Sequence, residues 1–251
     1  MSLLELKNIS KTYGSKKNKK YTALKNISFE VAEGDFMGIM GASGSGKTTM
    51  LNIIGSIDRQ TSGALIVNGK DVSDFNKKQL AKHRRDNIGF IFQDFNLLDS
   101  MTIEENIILP LALSGEKPTV IKEKLNSLAS DLGIKDILSK FPYEISGGEK
   151  QRASACRALI TEPKIILADE PTGNLDTTSS KQLLNLLEHI NNKYKATILM
   201  VTHDVFAASY CHNVLFIKDG QIYNQLHSQG DRQKFFNSIL NVMSVLGGDE
   251  K

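Results

Sequence analysis

Eight consecutive residues, Gly41-Ala42-Ser43-Gly44-Ser45-Gly46-Lys47-Thr48, have the types and spacing needed to hold a polyphosphate. Glycines let the backbone curl until successive N–H groups converge on an anion. In this pattern the lysine, Lys47, reaches β- and γ-phosphates, and the hydroxyl of Thr48 serves Mg²⁺. A short apolar run, Phe36 to Met40, precedes the loop and suits a buried strand. Thr49-Met50-Leu51-Asn52-Ile53-Ile54 follows and suits a helix, whose positive end adds to the anion site. A glycine-rich turn without chemistry is the bland alternative, and the strand–loop–helix context weighs against it.

Other polar groups stand at the ends of other apolar runs. Ile165 to Ala168 leads into Asp169 and Glu170. A buried strand closed by Asp holds Mg²⁺ beside a phosphate loop. The next carboxylate, Glu170, is placed to polarise an attacking water. Ile88 to Phe92 ends at Gln93, and Ala196 to Val201 ends in Thr202-His203-Asp204. A lone His at a strand end is more often structural than chemical. In open α/β sheets, however, ligands bind beyond the carboxyl ends of strands, where Gly41, Gln93, Asp169 and His203 all fall. Ser146-Gly147-Gly148-Glu149 opens a helix running through Leu159, with Ser146 and Glu149 as a capping box. Glycine in a first turn costs up to about 1 kcal/mol, so the pair Gly147-Gly148 makes sense if something must approach that backbone closely. A phosphate at a helix N-terminus does so. Tyr13 is either an ordinary surface aromatic or a face on which adenine stacks, and spacing leaves both open.

These groups need strands and helices in alternation to position them, and the chain supplies both. Leu4 to Ile9 alternates as a half-buried strand, and Ala23 to Val31 reads as a second. Ala64 to Val67 is a short strand between Thr61-Ser62-Gly63 and Asn68-Gly69. Val214 to Ile217 and Gln221 to Leu226 predict a hairpin around Asp219-Gly220. From Asp94 to Lys140 the texture changes. Ile121, Leu125, Leu128 and Leu132 recur at helical spacing, Pro110 and Pro118 punctuate, and no strand-like run occurs. A mostly helical insertion is expected. Its turn Phe95 to Leu98 reads either as ordinary packing or as part of a groove that receives another protein. Gly173-Asn174-Leu175-Asp176 leads into a helix with apolar face Leu183, Leu186, Leu187 and Ile190. A tail helix is expected over Phe235 to Val245.

Composition sets the outer bounds. With 251 residues, 40% of them hydrophobic, the chain is long enough for one sizeable α/β core with room for a subdomain. A net charge of +3 does not demand nucleic acid. Lys77, Lys78, Lys82, Arg84 and Arg85 form a basic helical patch without interleaved aromatics, which predicts a solvated face. Lys16, Lys17, Lys19 and Lys20 predict a solvated turn, with contact to anionic lipid the minor alternative. The longest apolar run, Ile107 to Leu113, falls far short of the ~20 residues of a membrane span. Met1 to Glu5 lacks the plan of a signal peptide. Cys156 and Cys211 show neither metal nor disulfide spacing, and read as small buried residues in a reducing cytosolic setting.

Taken in order, these motifs resemble those of the ATP-binding cassette (ABC) ATPases over essentially the whole chain. Gly41 to Thr48 matches Walker A, Gln93 the Q-loop, and Ile145 to Glu149 the signature usually written LSGGQ. Ile165 to Asp169 matches Walker B, Leu175-Asp176 the D-loop, and His203 the switch histidine. The resemblance implies an α/β fold: a P-loop NTPase core of ABC type, an N-terminal antiparallel β subdomain and an inserted α-helical subdomain. Residues 1–93 and 160–230 would form the core with the β subdomain, 94–159 the helical subdomain and 231–251 a helical tail. It implies ATP and Mg²⁺, with the metal at Thr48, Gln93 and Asp169. The nucleotide would lie against Tyr13, Gly41, Ala42, Ser43, Gly44, Ser45, Gly46, Lys47, Thr48 and Thr49. From a second copy, paired head to tail, would come Ser146, Gly147, Gly148 and Glu149. Glu170, His203 and Gln93 would serve hydrolysis.

The further partner implied is an integral membrane permease, which would hold the chain at the cytoplasmic face of the cell membrane; nucleic acid is not implied. Met40 to Ser43, Phe92 to Asp99, Ala207 to Cys211 and Asp231 to Phe236 are closest to the bacitracin- and lantibiotic-resistance transporters of Gram-positive bacteria. That group implies resistance to antimicrobial peptides, often with a sensor histidine kinase beside the permease. Lipoprotein release, macrolide export and cell division are the alternatives within transport. A soluble ABC protein acting on nucleic acid or ribosomes is the rival class, and usually carries two cassettes or a long coiled-coil insertion. Glu149 departs from the usual Gln of the signature and places negative charge where a γ-phosphate would arrive.

Overall fold

A computed structural model describes residues 2–14 and 19–248, so Lys16 and Lys17 of the lysine-rich turn lie outside the described residues. Strands β1 (Ser2–Tyr13), β2 (Tyr21–Ala32) and β3 (Phe36–Met40) lead into helix α1 (Lys47–Ile54). Then come β4 (Ser62–Val67), β5 (Lys70–Asp71), α2 (Lys77–Asn87) and β6 (Ile88–Phe92). Helices α3 (Ile103–Ser114), α4 (Pro118–Asp131) and α5 (Gly147–Leu159) follow without a strand between them. The chain closes with β7 (Ile165–Asp169), α6 (Thr177–Tyr194), β8 (Thr197–Val201), α7 (Val205–Ala208), β9 (Asn213–Lys218), β10 (Gln221–His227) and α8 (Arg232–Gly248). It divides into two compact units, residues 1–82 with 197–251, and residues 83–196.

In the first unit β1 pairs antiparallel with both β2 and β4, so Leu6 lies opposite Phe29 on one side and Leu65 on the other. Alternation puts Leu4 and Leu6 into the core, and the register shift between Leu6 and Ile9 brings Ile9 in beside them. Asn8 and Asn26 take left-handed backbone near register shifts, a conformation that asparagine tolerates. Strand β3 runs parallel between β8 and β9, and β10 folds back antiparallel on β9 around Asp219-Gly220. Strands β3 and β8 are buried along their whole length, as parallel strands covered on both faces must be. Cys211 lies against Gly38 in this core, and burial holds its thiol well above the ordinary range. Helix α8 packs Phe235 and Ile239 inward, and its Leu246 lines a cavity with Gly44 and Asp219.

In the second unit β6 pairs parallel with β7, so Phe92 lies opposite Asp169. Helix α5 buries Ala153, Cys156 and Leu159, and burial pushes the Cys156 thiol up to about 12. The insertion is helical, as its periodicity predicts, with Ile121, Leu125 and Leu128 of α4 buried. Pro118 opens α4, but Pro110 does not punctuate: it sits inside α3. That helix absorbs the lost N–H because both ends are fixed. Thr102 and Glu105 form a capping box, Gly115 supplies a left-handed cap, and Ile103, Ile107 and Leu111 are buried. On α6, Leu184 rather than Leu186 takes the fully buried place.

Candidate functional site

The first unit holds the phosphate loop. At Gly41 (φ +156°) a Cβ would stand 2.2 Å from the Ile217 carbonyl, and at Gly46 (φ +106°) 2.6 Å from that of Ala23. Only glycine lets the loop lie this close to β9 and β2. Lys25 N–H donates to Gly220 O at 2.8 Å, and Gly220 N–H to Ser45 O at 3.1 Å, so the β9–β10 hairpin tip fastens the loop to β2. Gly46 is also the N-cap of α1 and brings no side chain to the first-turn amides. Those N–H groups therefore suit an external anion. Ser45 Oγ is buried without a hydrogen-bond partner, a second polar group that a phosphate oxygen would satisfy. Lys47 is buried, its ammonium donating to the carbonyls of Gly41 and Ala42 at 2.9 Å each, while Thr48 is exposed at the mouth.

Tyr13 projects from the end of β1, 39% exposed, with the Lys11 ammonium 4.7 Å from its ring centre. Its hydroxyl donates to Asp58 Oδ2 at 2.8 Å, and Lys11 donates to Asp58 Oδ1 at 2.6 Å. Burial raises the Asp58 carboxyl, but the bonds from Lys11 and Tyr13 outweigh it and hold the group below its usual range. Tyr21, paired with Tyr13 across the strands, donates its hydroxyl to Gly44 O at 3.2 Å. Asp58 and Tyr21 escaped the sequence reading because neither stands in a motif. His203 follows β8 and is exposed between buried Thr202 and Asp204, whose carboxylate caps α7.

Gln93, Asp169, Glu170 and the Ser146–Glu149 helix tip all belong to the second unit. Asn174 donates to the Asp94 carboxylate at 2.8 Å and to Gln93 O at 3.3 Å. A carboxylate only accepts, so this fixes which way the Asn174 amide points. Its oxygen then accepts from Gln93 Nε2 at 3.3 Å. Gln93 thus uses its amino end on Asn174, and its carbonyl oxygen is the end suited to a hard cation. The Asp169 carboxylate of the same unit is likewise an oxygen donor, the ligand chemistry Mg²⁺ takes. Glu170 occupies left-handed backbone (φ +47°), held by the Gly173 N–H on its carbonyl at 2.9 Å. Strain of this kind clusters at working sites.

Ser146 caps α5, and Glu149 returns the bond, its Oε2 accepting from Ser146 N–H at 2.8 Å and Oγ–H at 2.7 Å. These bonds, chiefly the hydroxyl's, and then Arg152 hold the Glu149 carboxyl below its ordinary range, so it is ionised at neutral pH. The paired glycines have different reasons. A Cβ on Gly148 would meet Ser179 Oγ at 3.1 Å, an internal constraint. A Cβ on Gly147 would make only ordinary contacts, the nearest at 3.6 Å. Gly147 is therefore the position whose bareness the chain's own packing does not explain.

A family model described as ABC transporter matches residues 24–173, more than half of the chain. The chain is 53% identical over 250 residues to the bacitracin export ATP-binding protein BceA of Halalkalibacterium halodurans, spanning 99% of this chain and 98% of that one. It is 51% identical over 248 residues to the ABC transporter ATP-binding protein YxdL of Bacillus subtilis, spanning 99% and 96%. It also matches the dimeric post-hydrolysis structure of the ATP-binding cassette MJ0796 bound to ADP and Pi. The TM-score is 0.82 at 36% identity, over 91% of this chain and 100% of that one.

Proposed function

The chain belongs to the ABC transporter family as an ATP-hydrolysing cassette of α/β fold, and from that premise we propose that it powers a membrane permease conferring resistance to antimicrobial peptides. The observation that carries the finer reading is its full-length likeness to the bacitracin export protein. Among the described residues no helix is long and apolar enough to cross a membrane, which suits a peripheral subunit. The second unit offers a groove for such a partner, lined by Ile88, Phe90, Phe92, Asn96, Pro110 and Arg157. Helix α3, which supplies Pro110, also leaves Leu113 73% exposed. A sensor histidine kinase would be reached through the permease.

Two copies pair head to tail in this reading, which the dimeric structure of the MJ0796 cassette supports as far as pairing itself goes. The Gly41–Thr48 loop holds the triphosphate, Tyr13 faces the adenine, and Ser146 with Gly147 close the γ-phosphate from the second copy. Thr48, Asp169 and Gln93 would hold Mg²⁺, which when bound would neutralise phosphate charge. Glu170 orients a water and takes its proton as the water oxygen bonds to the γ-phosphorus and the β–γ bridge breaks. His203 steadies the γ-phosphate.

The test is capture of the chain with its permease from detergent-solubilised membranes, followed by ATPase assays with bacitracin or a lantibiotic added. Stimulation by such peptides is the expected result. Indifference to them, with stimulation by a macrolide or a lipoprotein, would overturn the peptide reading. Within the same scheme Glu149→Gln keeps the capping box and removes a full negative charge from the γ-phosphate face. It is expected to lower the ATP concentration needed for dimerisation, read by size-exclusion chromatography. Equal dimer fractions for both forms at matched ATP would refute this.

A further inference from the structure

Three polar side chains on one stripe of α5, spaced i, i+3 and i+6, turn toward the segment that carries Gln93. Gln151 is fully buried, its Nε2 donating to Phe92 O at 3.3 Å and to Pro171 O at 2.9 Å. Two carbonyl acceptors fix its amide orientation. Those carbonyls belong to the residue before Gln93 and the residue after Glu170. Ser154, also fully buried, donates Oγ–H to Phe95 O at 3.2 Å. Arg157 spreads its guanidinium over that same carbonyl and the next one, donating to Phe95 O at 2.8 Å and to Asn96 O.

The held segment is one that does not keep its shape by itself. Phe95 (φ +60°) and Asn96 (φ +50°) are consecutive left-handed residues, and neither is glycine. For a phenylalanine this is an outlier conformation that only surrounding contacts maintain. Helix α5 supplies them, and the same helix begins at Gly147 behind its Ser146 cap. Resting on the ATPase reading above, we infer that Gln151, Ser154 and Arg157 form a positioning latch. It sets the Gln93 carbonyl for the metal and moves the Gln93 segment together with the Ser146–Glu149 tip. A movement imposed on the tip by a second copy would thereby reach the chain's own metal-facing glutamine through one rigid helix.

The test uses the full chain and the variants Arg157→Lys, Ser154→Ala and Arg157→Lys/Asn96→Gly. Lysine keeps the charge but loses the planar fork that spans two carbonyls. In nucleotide-free protein, Arg157→Lys is expected to speed amide hydrogen exchange across residues 93–98 while leaving β7 and α6 unchanged. The Mg²⁺ concentration for half-maximal ATPase activity should rise about 10-fold, the scale of lost support behind a metal ligand. ATP affinity without Mg²⁺ should not change. Ser154→Ala, which removes one hydroxyl and little volume, shifts both readouts the same way by less. Asn96 is exposed, and glycine there holds a left-handed conformation without strain. The double variant should therefore recover much of the lost Mg²⁺ response.

Unchanged exchange and Mg²⁺ response in both single variants would overturn the latch. So would faster exchange throughout the chain with no recovery in the double variant. Failure of the wild type itself to hydrolyse ATP would instead overturn the reading on which the latch rests.

Discussion

Glu170→Gln is expected to slow ATP hydrolysis by roughly 10²–10⁴-fold, the usual worth of a positioned general base, while leaving nucleotide binding intact. The substitution keeps the shape of the side chain and removes only its ability to take a proton. The left-handed backbone at this position (φ +47°) is fixed by the Gly173 bond and by Phe92–Asp169 pairing, which Gln does not disturb. Stability should therefore stay near wild type, and the lost activity is chemical. If hydrolysis ends the paired state, as the proposed scheme requires, the variant should accumulate as an ATP-bound dimer at saturating Mg·ATP on size-exclusion chromatography. Near-wild-type turnover would remove Glu170 from the role of base. Lost turnover without dimer would separate the base from the pairing scheme.

Lys47→Ala should fail one step earlier. A charge-assisted hydrogen bond contributes about 1.5–3 kcal/mol, so loss of the ammonium should weaken ATP binding by roughly 10- to 100-fold for each bond made to phosphate. Lys47 now donates to the Gly41 and Ala42 carbonyls, which places its charge at the loop itself. Thermal unfolding distinguishes the two variants. A ligand at 100 times its Kd stabilises the native state by about 2.7 kcal/mol. Wild type and Glu170→Gln should show that rise with ATP, and Lys47→Ala at the same ATP concentration should show almost none. An equal shift in Lys47→Ala would place the triphosphate elsewhere. Unlike the base variant, Lys47→Ala should form no dimer at any attainable ATP concentration.

Much of the proposed site is legible in the sequence because its motifs are contiguous. The phosphate loop, the Asp169-Glu170 pair and the Ser146–Glu149 cap are each a few residues long. Their conformations follow from glycine, from an apolar strand and from a capping box, all local effects. The ABC fold followed from those motifs in order. Pro110 misled because its effect depends on whether neighbouring contacts make up for one missing N–H. On α6 Leu184 rather than Leu186 joins Leu183, Leu187 and Ile190, because burial there is decided by what the helix packs against.

The amino-acid order alone determined which loop is proposed for phosphate, that Glu170 follows the Asp169 proposed for the metal, and that Glu149 departs from the family's signature. Tertiary structure alone decided what holds those groups still. Tyr13 is oriented by Asp58, 45 residues away; Gln93 is oriented by Asn174, 81 away; the segment after Gln93 is gripped by Ser154 and Arg157 from about 60 away. Residues that donate across such separations meet because the strands and helices carrying them pack side by side. Neither side-chain periodicity nor any short motif encodes which of many polar residues that packing will bring within hydrogen-bond reach.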